Sequence, residues 1–145
     1  MNYSWFEMLC HICLMLCVGF IEEVIFRGLL FRAIAKDNVK TAIIISSITF
    51  GTGHLLNLIN GRGMELTANL FQVAGAVVYG FLFVILLYRS GSLFPCIITH
   101  SAINILSAFA NKTGLTLEKR IAFILIELII IAIYVLTLTK TLPEK

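Results

Sequence analysis

Charge is what this sequence has least of. Only 13% of its 145 residues are charged while 59% are hydrophobic, against roughly a quarter charged and half apolar in an ordinary soluble domain. Mean hydropathy is +0.98. That balance excludes a soluble globular protein and leaves no room for a separate soluble domain. The net charge of +3 is scattered, with no basic run and no interleaved aromatics, which excludes a nucleic-acid partner. Internal repeats and low-complexity tracts are also missing. The first twenty residues lack a basic start and a small-residue cleavage site, so they read as a retained span rather than a signal peptide. Four cysteines are present, three of them (Cys10, Cys13, Cys17) at helical spacing. No thioredoxin-like strand pattern surrounds Cys10-x-x-Cys13, and the reading is packing rather than redox chemistry.

What remains is long apolar helix. At about 20 residues per crossing, the chain has room for about five transmembrane helices. The spans fall at about 4–35, 39–56, 64–88, from the turn before Pro95 to about 111, and 120–139. Residues 36–38, 57–63, 89–91 and 112–119 read as the connections. The expected fold is therefore all-α, a polytopic integral membrane helical bundle forming one domain over residues 1–145, with the lipid bilayer as its solvent. Arg32, Lys36, Lys40, Arg89, Lys140 and Lys145 share one side against Arg62, Lys112, Lys119 and Arg120 on the other. The positive-inside rule leans toward a cytoplasmic first side.

Inside this apolar chain the rare polar groups stand out. A carboxylate in a membrane segment costs several kcal/mol unless it is paired or faces a cavity, so it marks function by default. Glu22 and Glu23 are adjacent, and Arg27 follows Glu23 by four residues, the favourable order for a helical ion pair. Glu22 then points about 100° away and is left for another partner. Glu22 lies sixteen residues before the turn at Asn38 and His54 sixteen after it, which puts both at one depth in a helical hairpin. His100 and Asn104, also four apart, share a helix face.

The inventory suggests water-activating chemistry. A carboxylate in an apolar site is a better proton acceptor than one in water. Glu22 would take a proton from water held with His54, while His100 and Asn104 donate to the oxygen of a tetrahedral intermediate. Such an assembly hydrolyses a peptide bond with no covalent nucleophile and no cofactor.

Glu22-Glu23-Val24-Ile25-Phe26-Arg27-Gly28 resembles the EExxxRG signature of the CPBP intramembrane proteases, the group of CAAX prenyl-protein endopeptidases and bacteriocin-immunity proteins. Phe50-Gly51-Thr52-Gly53-His54 resembles the second motif, FxxxH, and His100-Ser101-Ala102-Ile103-Asn104 the third, HxxxN. The run Ser90-Gly91-Ser92-Leu93-Phe94-Pro95 is also typical. The resemblance covers about residues 20–105. It implies that Glu22 and His54 activate water, that His100 and Asn104 hold the oxyanion, and that Glu23 and Arg27 support the site. It implies proteolysis of a membrane-associated peptide or protein, in CAAX-type processing, peptide maturation or bacteriocin self-immunity, in a bacterial cell membrane. Members carry further helices before the EExxxR helix, which here opens the sequence, and this makes a homo-oligomer that closes the site attractive.

Three other functions compete. A zinc protease would use Glu22, His54 and His100 as ligands, although no HExxH occurs and Asn104 is then unexplained. A non-catalytic binding or immunity protein would need the fold but not Glu22. A proton-coupled carrier would use the same Glu and His residues, but lacks an inverted repeat.

Overall fold

A computed structural model of the chain describes residues 4–60, 65–109 and 116–141. All regular structure in it is helical: α1 (Trp5–Ala35), α2 (Val39–Gly53), α3 (Leu66–Ser90), α4 (Phe94–Phe109) and α5 (Leu117–Thr141). No strand occurs among the described residues. Trp5–Ala35, Val39–Leu58 and Leu66–Ser90 are long and apolar enough to cross a membrane. The 16 residues of α4 rise about 24 Å, short of the ~30 Å hydrocarbon core.

Local chemistry sets the ends of these helices. Ser4 and Glu7 form a reciprocal capping box at the start of α1, which satisfies amide donors that the first turn cannot pair internally. Asn38 caps α2, its Oδ1 accepting from the Thr41 amide at 3.0 Å. Gly91 ends α3 with φ 71°, a left-handed conformation that glycine adopts without a Cβ penalty. Ser92 Oγ then accepts from the Phe94 amide at 3.2 Å, and Pro95 occupies the first turn of α4, as expected.

Two boundaries differ from the sequence expectation. Residues 57–63 were expected to be loop, yet a helical turn forms over Leu56–Ile59, with His54 as the C-cap of α2. Asn69 Nδ2 donates to the His54 carbonyl at 3.0 Å, so a side chain from α3 fixes the corner. Helix α5 starts at Leu117, inside the expected loop; residues 61–64 and 110–115 lie outside the described residues.

The larger difference lies within α1. Its register changes to π-helix over Val24–Phe31, immediately after the glutamate pair. π turns are rare and recur at functional sites. Tertiary bonds fix this one: Ser46 Oγ donates to the Phe26 carbonyl at 2.9 Å, and an Arg27 guanidinium nitrogen donates to the Gly80 carbonyl at 3.1 Å.

Helix α2 packs chiefly along α3, the first part of α1 along α4, and α5 along α3. Small residues permit the close approaches. A Cβ on Gly51 would stand 2.7 Å from the Val77 amide nitrogen, and one on Gly80 would stand 2.8 Å from the Ser47 carbonyl. These glycines therefore seat α2 against α3 of the same chain. Gly53 and Gly75 have open space beside them. The core is Phe31, Ala42, Phe50, Phe83, Val84, Leu87 and their neighbours, and it surrounds the buried polar groups described next.

Candidate active site

Glu23 and Arg27 are fully buried, with an Arg27 guanidinium nitrogen 3.0 Å from Glu23 Oε1. Such a pair is tolerable in an apolar interior only if its remaining donors are occupied. Gly80 takes one of them. The guanidinium also lies 4.3 Å from the Phe50 ring and 5.0 Å from Phe83, a cation–π arrangement in a place from which water is excluded.

His100, on α4, meets this pair. Its Nδ1 lies 2.8 Å from Glu23 Oε1. Glu23 is a carboxylate held by a cation, and a carboxylate only accepts, so the proton of this bond sits on Nδ1. The tautomer is thereby set, and Nε2 is turned toward Glu22, whose Oε2 is 3.5 Å away. That separation is long for a hydrogen bond, and Glu22 Oε2 is a buried acceptor with none. The Glu22 side chain nevertheless keeps 30% exposure while Glu23 keeps none. Adjacent carboxylates thus have different environments: one locked by Arg27 and His100, the other open on one side.

Aromatic rings hold the imidazole in place. Phe83 stacks on His100 with centroids 4.9 Å apart and planes 19° apart. Phe50 meets His100 edge-on at 5.5 Å and His54 edge-on at 5.7 Å. One phenylalanine therefore separates the two histidines and also covers Arg27. His54 lies within electrostatic reach of Glu22 and His100.

A cavity of about 570 Å³ runs from this cluster between α3, α4 and α5. His54, His100 and Asn104 lie on its wall, with Phe50 and Phe83. The structure therefore brings His54, His100 and Asn104 to one cavity, and Glu22, Glu23 and Arg27 to the His100 ring. Glu22 is not on the cavity wall; it stands at the Nε2 edge of the imidazole. Among the described residues no three His, Cys, Asp or Glu side chains are arranged to hold a metal ion. Glu22, His54 and His100 are accordingly not arranged as a zinc ligand set in this geometry.

Several contributors were not assigned from the sequence. Phe50 appeared only as a motif letter, and Phe83 and Gly80 not at all, because phenylalanine and glycine are ordinary in a membrane helix. Tyr79 and Glu127 also line the cavity. Glu127 carried the same signal as Glu22, a carboxylate within a run of Ile and Leu, and that signal could have found it.

The family described as Rce1-like, type II CAAX prenyl endopeptidase, matches residues 4–106. No curated protein and no solved structure matches the chain. The matched stretch contains Glu22, Glu23, Arg27, His54, His100 and Asn104, and it ends before α5.

Proposed function

The chain belongs to the Rce1-like type II CAAX prenyl endopeptidase family, and from that premise we propose that it hydrolyses a peptide bond of a membrane-associated peptide or protein with water activated at Glu22. The observation that carries this reading is the His100 ring, bonded to Glu23 and facing Glu22, on the wall of a cavity that also presents His54 and Asn104.

Charge balance supports the division of labour. With Glu22 and Glu23 ionised and Arg27 cationic, an imidazolium at His100 brings the cluster to neutrality; a neutral ring leaves one negative charge in an apolar setting. In the imidazolium both nitrogens donate. Nδ1–H stays on Glu23, and Nε2–H is free to turn to a developing oxyanion once substrate arrives. Glu23 and Arg27 are positioning residues in this scheme, since they act through His100.

The reaction then needs no covalent intermediate. Water held by Glu22 and His54 attacks the scissile carbonyl carbon while its proton passes to Glu22. In this scheme the carbonyl oxygen becomes the oxyanion and accepts from His100 Nε2–H and the Asn104 amide. Collapse breaks the C–N bond, and the proton on Glu22 passes to the leaving amine. The products are a carboxylic acid and an amine, the acid's proton then passes to the amine, and Glu22 is regenerated.

The test is hydrolysis of a farnesylated peptide with a C-terminal CAAX sequence by the purified protein in proteoliposomes. Loss of the base in Glu22→Gln lowers the rate by ~10²–10⁴, and Asn104→Ala lowers it by ~10²–10³. Equal rates for wild type and Glu22→Gln contradict the mechanism. No hydrolysis by wild type contradicts the CAAX substrate class.

A further inference from the structure

The chemistry above leaves one end of the cavity unused. Glu127 stands in the middle of α5, within Leu125-Ile126-Glu127-Leu128-Ile129, and lines the same cavity as His54, His100 and Asn104. Tyr79 Oη donates to Glu127 Oε1 at 3.2 Å. A phenol steadies a carboxylate but does not neutralise it, and among the described residues no cation pairs with Glu127. An ionisable group placed this way in an apolar helix is costly unless it serves a cavity. It also lies outside the stretch that matches the family, so the proteolytic motifs do not account for it.

The position of Glu127 relative to the reacting centre follows from the rings. Tyr79 stacks on Phe83 with centroids 6.1 Å apart, and Phe83 on His100 at 4.9 Å. At ~3.3–3.6 Å per residue, an extended peptide with its scissile bond at His100 passes Tyr79 within about three residues. A lysine or arginine at that point can lay its aliphatic stem along Phe71 and Tyr79, which both line the cavity, and set its charged head against the carboxylate.

We propose that Glu127 is a specificity-determining residue that receives a basic substrate side chain within about three residues of the cleaved bond. The assignment rests on the peptide-hydrolysis reading for what the cavity holds. The favoured substrate is a membrane-associated peptide in which a cation sits inside an otherwise apolar segment.

Binding decides it independently of cleavage. The probes are fluorescent N-palmitoylated decapeptides of Ala and Leu carrying a single Lys, Leu or Glu at successive positions. They are titrated against Glu22→Gln protein in phosphatidylcholine nanodiscs, whose zwitterionic lipid does not itself select basic peptides. With Glu127 intact, Lys at one position binds ~10-fold or more tighter than Leu, as a charge-assisted contact warrants. In Glu22→Gln/Glu127→Gln that ratio falls to near one, and in Glu22→Gln/Glu127→Lys the preference passes to Glu. Glu22→Gln/Glu127→Asp keeps the charge and keeps the Lys preference, which separates a charge effect from a folding defect. An unchanged Lys-to-Leu ratio in the Gln variant, no Lys preference with Glu127 intact, or equal losses in the Gln and Asp variants overturns the assignment. If wild type cleaves none of the probes yet shows the Glu127-dependent preference, the basic side-chain site stands and its placement within three residues of a cleaved bond is overturned.

Discussion

Replacing Arg27 by methionine removes a cation from a fully buried site while keeping most of its volume. Its contacts go with it: the 3.0 Å pair with Glu23, the 3.1 Å bond to the Gly80 carbonyl and the positions over Phe50 at 4.3 Å and Phe83 at 5.0 Å. The dominant cost is what remains. Glu23 has no exposure, so its carboxylate loses Arg27 in a place water cannot reach and keeps only the bond to His100, and breaking such a pair costs ~3–5 kcal/mol. Glu23→Gln alone strands the guanidinium instead, at a similar cost. The double variant Arg27→Met/Glu23→Gln strands neither charge. What stays lost is the bond to Gly80 and the ring contacts, together ~1–2 kcal/mol. The double variant is therefore more stable than either single one. Reversible denaturation in mixed micelles, followed by circular dichroism, reads all four corners of the cycle. Arg27→Met costing under ~1 kcal/mol, or a double variant no better than the worse single one, would refute the claim that mutual burial sets the energy of this pair.

Other perturbations have equally definite outcomes. Gly51→Ala drives a methyl into the backbone of α3 at Val77 and costs ~1–3 kcal/mol in the same assay; Gly53→Ala, with nothing within 4 Å, leaves stability unchanged or raises it by up to ~1 kcal/mol. Ser46→Ala removes the bond to the Phe26 carbonyl and leaves a half-buried acceptor short of a partner, costing ~1 kcal/mol, which thermal unfolding in detergent reads. A chelator such as 1,10-phenanthroline leaves peptide hydrolysis unchanged, because Glu22, His54 and His100 do not form a metal site; chelator inhibition reversed by added zinc would contradict that geometry.

Much of this architecture was legible because polar residues are conspicuous against lipid. Glu23 and Arg27 announced themselves by spacing, and the structure pairs them. His54 and Glu22 shared a depth by counting from Asn38, and they lie within electrostatic reach. Counting could not reveal that Phe50 stands between the histidines, since a phenylalanine in a membrane helix is uninformative until its neighbours are known. Nor could it show the π turn at Val24–Phe31, which depends on hydrogen bonds from Ser46 and to Gly80, residues distant in sequence. The bond of His100 to Glu23 was missed for a related reason. Helical spacing orders side chains along one helix, while the approach of α4 to α1 is set by packing such as Gly19 against Ser101, where a Cβ would stand 3.1 Å from the Ser101 amide nitrogen. Glu127 was readable by the rule that singled out Glu22, and only the fold shows that α5 brings it to the same cavity.

The central claim is that Glu22 activates the water that cleaves a peptide bond. The most direct measurement compares newly formed peptide N-termini in membranes containing the wild-type protein with those containing Glu22→Gln at matched abundance. The account predicts a set of cuts present with wild type and absent with Glu22→Gln, each in a membrane-associated protein or peptide. Identical profiles would contradict it and leave a binding or immunity role for which the carboxylate is dispensable.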